Sequence, residues 1–228
     1  LVARRIGEGD TAGAAEVAGQ TLWLGLVAAG FVGLSGVLFA ADILRLMGAS
    51  DAVIRDGAMY TRLLLGGALT VIYIFLLNAV FRGAGVPAIA MRALVIANVI
   101  NLILDPCLIF GLGPFPQMGV TGAAVATNIG RGIGVVYLLV KLFRGQDQLK
   151  LGGQQLKLNP VVMFHLVRVS LGGMGQFLIA TASWVALMRL VANHGSAAIA
   201  GYTIAVRIID FTILPAWGLS NAATTLVG

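Results

Sequence analysis

Apolar residues along the chain fall into six long runs, each separated from the next by a short polar or Gly/Pro-rich stretch. The runs lie near Ala18–Leu46, Ala58–Phe81, Ala88–Phe110, Val120–Phe143, Val161–Val191 and Ala197–Val227. Each supplies the ~20 mostly apolar residues with which an α-helix crosses a bilayer core. The first, fifth and sixth are longer than a crossing needs, which predicts tilt or an interfacial first turn. Between the runs, "MGASD" (Met47–Asp51) joins a Gly stop to a Ser/Asp start. "RGAGVP" (Arg82–Pro87) and "GLGPFPQMG" (Gly111–Gly119) read as Gly/Pro turns. Arg144–Pro160 is the longest polar stretch and predicts a boundary between two halves. In the fourth run Gly122, Ala126, Gly130 and Gly134 recur every four residues, which predicts one smooth helix face for close packing.

Composition sharpens this picture. The chain is 59% hydrophobic and 11% charged, against about 25% charged in a soluble domain, so there are too few charges to build a polar skin. The net charge of +6 does not point to nucleic acid, because the bases flank apolar runs and form no aromatic-interleaved patch. If the first loop is cytoplasmic, that side holds Arg4, Arg5, Arg82, Arg92, Lys141, Arg144, Lys150, Lys157 and Arg168. The other side holds only Arg45, Arg55, Arg62 and Arg189, while Arg131 and Arg207 lie inside runs. This asymmetry follows the positive-inside rule and puts the long polar loop in the cytoplasm. Cys107 is the single cysteine, so no intrachain disulfide can form. The chain opens without Met and stops inside an apolar run, which predicts a piece of a longer polytopic protein.

Of nine acidic residues, only Asp105 and Asp210 fall well inside runs. An ionisable group at membrane depth usually faces the bundle interior or a water-filled cavity. Asn98, Asn101 and Asp105 are spaced i, i+3, i+7 and share one helix face. Pro106 removes a backbone donor and frees the carbonyl of Leu102 beside them. Carboxylate, amide oxygen and free carbonyl together suit a hard cation such as Na⁺, or a proton held on the carboxylate. The competing reading of Asp105 is a structural cap at a kink, and Asn98 reads as a packing amide. Asp210 lies three residues after Arg207, and the pair reads either as an intrahelical ion pair or as charges lining a second cavity. Gln176 in "GGMGQF" is a further cavity candidate. Trp23, Trp184 and Trp217 read as lipid-facing or packing residues. His165 and His194 have no partner at metal-ligand spacing, and no phosphate loop or nucleophile–base motif is present.

"LVARRIGEGDTAGAA", "LRLMGAS", "FRGAGVP", "NLILDPCLIFG", "GVTGAAVATNIG" and "AIAGYTIAVRI" follow one another along nearly the whole chain. In order and spacing they resemble the multidrug and toxin extrusion (MATE) family. The resemblance implies an all-α polytopic membrane protein, here six transmembrane helices of a two-lobe, twelve-helix transporter. Residues 1–143 would supply four helices of the N-terminal lobe, 144–160 the cytoplasmic interlobe loop, and 161–228 the first two helices of the C-terminal lobe. It implies a cation-coupled antiporter, driven by H⁺ or Na⁺, that exports organic cations or amphiphilic drugs by alternating access. Asp105 and Asn101 match the motif positions of the family's coupling site, Asn78 resembles the amide contributed by the preceding helix, and Thr127 the hydroxyl contributed by the following one. Arg207 and Asp210 match no family signature. The expected setting is the bacterial inner membrane, with organic substrates and lipids as partners, no nucleic acid, no cofactor and a monomeric full-length form. The rival readings are a lipid-linked precursor flippase of related architecture, a passive channel and a membrane-embedded enzyme. The enzyme reading lacks clustered His/Asp/Glu or a Ser–Lys pair at membrane depth.

Overall fold

The computed structural model describes residues 1–145 and 149–227, with the side chains of Ser196, Trp217 and 221–227 excepted. Gln146, Asp147 and Gln148 of the predicted interlobe loop therefore lie outside the described residues, as does the side chain of Trp217. Eight helices follow in order: α1 Val2–Gly7, α2 Thr11–Leu46, α3 Asp51–Gly66, α4 Ala68–Gly83, α5 Pro87–Phe110, α6 Val120–Arg144, α7 Pro160–Ala192 and α8 Ser196–Val227. Five stretches are each long and apolar enough to cross a membrane, and α3 with α4 forms a sixth, bent crossing.

Four of the six predicted runs agree with single helices to within one residue at each end. The α2 helix starts earlier than the first run, at Thr11, because the Asp10 carboxylate caps it, accepting from the Gly13 N–H at 2.8 Å. Asp10 also pairs with Arg5 at 2.8 Å, tying α1 to the entry of α2. The second run is not one helix. It divides at Gly66 and Gly67 into α3 and α4, bent by 42°. Adjacent glycines supply both the conformational freedom and the lack of side-chain support that a kink needs. Pro106, by contrast, lies inside an α5 that continues through it.

The core gathers where α2 begins, α4 ends, α5 begins and α6 ends. Leu77, Phe81, Ala93, Leu138 and Leu142 are all buried there. The predicted glycine face is the α5–α6 seam. A Cβ on Gly122 would sit 2.6 Å from the Leu108 carbonyl, on Gly130 2.5 Å from that of Ala97, and on Gly134 3.1 Å from that of Ala93. At the far end of α5, Gly111 adopts the left-handed conformation (φ 71°) that closes a helix. The turn then folds back, with Met118 and Gly119 N–H groups donating to the Leu108 and Ile109 carbonyls at 2.9 and 3.2 Å. These bonds satisfy acceptors that a helix end leaves open.

The polar stretch after α6 is not a free linker. Leu149 and Leu151 are buried in the core. Gln20 donates to the Lys157 carbonyl at 2.8 Å and accepts from the Asn159 N–H at 3.1 Å. Trp23 donates to the Leu156 carbonyl at 2.9 Å, and Asn159 donates to Glu16 at 2.7 Å. The described part of the loop is thus fastened to the first half of α2. Trp23 and Gln20 act together as its clamp, so Gln20→Leu with Trp23→Phe is expected to loosen it by roughly 3 kcal/mol, three hydrogen bonds at about 1 each. Limited proteolysis within 149–159 should then be faster than in wild type. The α7 and α8 helices differ from the rest. No residue of α7 is buried, and Phe164, Phe177 and Phe211 are exposed.

Candidate functional site

The α5 and α6 helices run antiparallel, and their glycine seam brings them close enough for short polar side chains to meet across it. Asn101 packs on Gly130: a Cβ there would lie 3.3 Å from the Asn101 Cβ. From this position the Asn101 Nδ2 donates in two directions, to Asp105 Oδ1 at 3.1 Å and to Thr127 Oγ1 at 3.3 Å. Three of the four residues proposed for ion coupling therefore form one hydrogen-bonded cluster. All three are half-buried. Asp105 makes no ion pair within the cluster, and the four ion pairs among the described residues all lie elsewhere. The cluster also carries the second Asp105 oxygen, the Asn101 Oδ1 and the Thr127 hydroxyl, oxygen atoms of the kind hard cations prefer. Among the described residues no three His, Cys, Asp or Glu side chains converge to hold a metal ion.

Asn78 lies apart. It is buried, and its Nδ2 donates back to the Ile74 carbonyl at 2.6 Å. Ile74 packs at Gly134, one turn along α6 from the Gly130 contact of Asn101 and on the side away from Thr127. Asn78 is a further turn beyond Ile74. The Asn78 Oδ1 has no hydrogen-bond partner among the described residues, and a buried acceptor left open costs about 1–3 kcal/mol. Asn98 is exposed, so of the predicted polar stripe only Asn101 and Asp105 engage a neighbour.

The other candidates do not converge on this cluster. Arg207 and Asp210 are both exposed on α8 and form no ion pair with each other. Of the two readings of this pair, the intrahelical ion pair is thus absent; a base preceding its acid is the less favourable order along a helix. Arg207 lines an open hollow of about 550 Å³ with Thr203 and Phe211. Gln176 is exposed on α7.

A second polar node escaped the sequence reading. Asn128, next to Thr127, points to the break between α3 and α4. Its Nδ2 donates to the Leu63 carbonyl at 2.7 Å, and its Oδ1 accepts from the Thr70 hydroxyl at 3.3 Å. The signal for it was the Gly66–Gly67 pair inside an apolar run, with Thr70 just beyond.

Comparison with known proteins fits this geometry. The MatE family model matches residues 1–107 and 174–228, well over half of the chain. The chain belongs to the MatE family. It is 29% identical over 211 residues to the probable multidrug resistance protein YoeA of Bacillus subtilis, covering 91% of this chain and 46% of that protein. Two solved structures of a multidrug resistance MATE family transporter are similar at 28% identity. The inward-facing one has a TM-score of 0.80 and is matched over 94% of this chain and 48% of that one. The outward-facing one has a TM-score of 0.82 and is matched over 98% and 49%. This MatE chain therefore spans about half the length of the relatives it matches. It is a multi-pass membrane protein of a transporter family, and its relatives are named for multidrug resistance and export rather than for an enzymatic reaction.

Proposed function

We propose that this MatE chain forms part of a two-lobe secondary transporter that exports organic cations or amphiphilic drugs across the bacterial inner membrane in exchange for H⁺ or Na⁺. The observation that carries the reading is the cluster in which Asn101 bridges Asp105 and Thr127. The coupling ion sits at Asp105, with the Asn101 amide and the Thr127 hydroxyl orienting the carboxylate and sharing the load of ligation. The open Oδ1 of Asn78 offers a second acceptor further along the bundle. Substrate enters from the cytoplasmic side between the lobes. Ion binding favours the state that releases it outward, and does so only through a difference in ion affinity between the two states. The chain's similarity to both an inward-facing and an outward-facing multidrug resistance transporter supports the transport reading. Transport by a monomer needs no further cofactor.

The test is efflux of a fluorescent organic cation from vesicles holding the full-length protein. Export should follow an imposed inward H⁺ or Na⁺ gradient and stop when the gradient is collapsed. Flux that ignores the ion gradient and only follows the substrate's own would support a channel. Absence of any flux would direct the test to lipid-linked substrates, for which Arg131, half-buried one turn beyond Thr127 on α6, supplies a positive charge within the span.

A further inference from the structure

Thr127 and Asn128 are consecutive on α6, and so point about 100° apart around the helix. Thr127 meets the ion cluster on α5. Asn128 meets the break in the bent crossing. There the Leu63 carbonyl receives the Asn128 Nδ2 at 2.7 Å, and the Thr70 hydroxyl bonds both Asn128 Oδ1 at 3.3 Å and the Gly67 carbonyl at 2.9 Å. Gly67 is cut away to admit this side chain: a Cβ on it would collide with the Asn128 carboxamide, whose Oδ1, Cγ and Nδ2 are its three nearest atoms. On the opposite side the break is seated on α2. A Cβ on Gly33 would lie 3.5 Å from the Gly66 carbonyl, and Gly36 lies against Leu65.

We propose that Asn128 is a positioning residue that locks the break of the α3–α4 crossing to the ion cluster, so that the two change together. The proposal rests on the transport reading above. Asn128 touches no ion ligand. It acts through α6: a movement of α6 that strains the Asn101–Thr127 bond also shifts the next residue in its notch at Gly67. An amide is required because one group must donate to the Leu63 carbonyl while accepting from Thr70. The break is a natural place for such a device, because bent helices relocate at a few positions while the packed segments on either side stay rigid.

The experiment uses the full-length protein in vesicles, at matched abundance, with ion-driven efflux of a fluorescent cation measured against ion concentration and against substrate concentration. The variants are Asn128→Ala, Gly67→Ala, and the two combined. Asn128→Ala is expected to shift the ion concentration for half-maximal drive about tenfold, the equivalent of one hydrogen bond at about 1.4 kcal/mol, with substrate half-saturation changed less than about twofold. Gly67→Ala should do the same, because its methyl evicts Asn128. The double variant should be no worse than Asn128→Ala, since the atoms struck by the methyl are gone. A merely structural contact would lower abundance and leave the ion dependence of the surviving protein unchanged. If wild type responds to the ion gradient and both single variants keep its ion half-saturation, the coupling role is overturned while the transport reading stands. Additive damage in the double variant would overturn the notch. If wild-type efflux ignores the ion gradient, the transport reading fails and the coupling role falls with it.

Discussion

Asp105→Asn should reduce ion-driven efflux about 100-fold, equivalent to about 2.8 kcal/mol, while the protein still folds and inserts. The substitution keeps shape and keeps an oxygen able to accept from the Asn101 Nδ2, which donates to Asp105 at 3.1 Å. What it removes is the charge. An amide can neither take up the proton in the physiological range nor give a cation the attraction of a full negative charge, which is strong in a medium of low dielectric constant. Stability should change by less than about 1 kcal/mol, because the hydrogen bond persists and a costly ionisable group leaves the membrane. Efflux is compared at equal membrane abundance under H⁺ and Na⁺ gradients in turn. An unchanged rate would reduce Asp105 to a helix-packing residue.

Gly130→Ala should force the α5–α6 seam apart beside the ion cluster. The added Cβ would approach the Ala97 carbonyl to 2.5 Å and the Asn101 backbone N to 3.3 Å. These are backbone atoms of a packed helix and cannot swing aside, so α5 must move. Overpacking of this kind costs roughly 1–3 kcal/mol. The displacement falls at Asn101, and its 3.3 Å bond to Thr127 is already near the limit for a hydrogen bond. The variant should therefore melt several degrees lower and need a higher ion concentration to drive efflux. Gly132→Ala, two residues on, is the control. Its Cβ would meet only the Thr70 Cγ2, at an ordinary 3.8 Å. There the usual helix preference for Ala over Gly applies, and a gain of up to about 1 kcal/mol is expected. Equal melting temperatures for the two variants would show that the seam is slack.

Much of this architecture was legible in the sequence because the bilayer demands a single kind of solution. Backbone groups in lipid must be satisfied within each segment, so long apolar runs become helices and their ends follow the turn residues. The four-residue recurrence of Gly122, Ala126, Gly130 and Gly134 declares its packing face in the same way. Asp105 and Asn101 stood out because charge and amide are expensive at that depth. Thr127 did not; a threonine in a helix is ordinary, and only the resemblance to a family marked it before the structure placed it beside Asn101.

What the sequence hid is non-local. Gly66 and Gly67 sit in a run whose apolar character continues on both sides, so hydropathy sees one crossing where packing on α2 and α6 makes two helices. Pro106, where the competing reading of Asp105 put a kink, does not interrupt α5, which continues through it along the glycine seam. The stretch after α6 reads as a polar linker because its two anchors, Leu149 and Leu151, are outnumbered by Gln, Lys and Gly. Its partners Gln20 and Trp23 are more than a hundred residues away. Arg207 and Asp210 show that helical spacing alone does not make a contact: of their two readings, the intrahelical ion pair is the one the described residues lack.

On the proposed transport reading, the Asp105–Asn101–Thr127 cluster holds the ion exchanged for substrate. Its most direct test is ion release from the purified full-length protein in weakly buffered detergent solution, with pH and Na⁺ followed as saturating organic cation is added. Wild type should release H⁺ or Na⁺ as substrate binds, and Asp105→Asn should bind substrate with that release largely lost. Substrate binding without ion release in wild type, or equal release from the Asn variant, would contradict the claim.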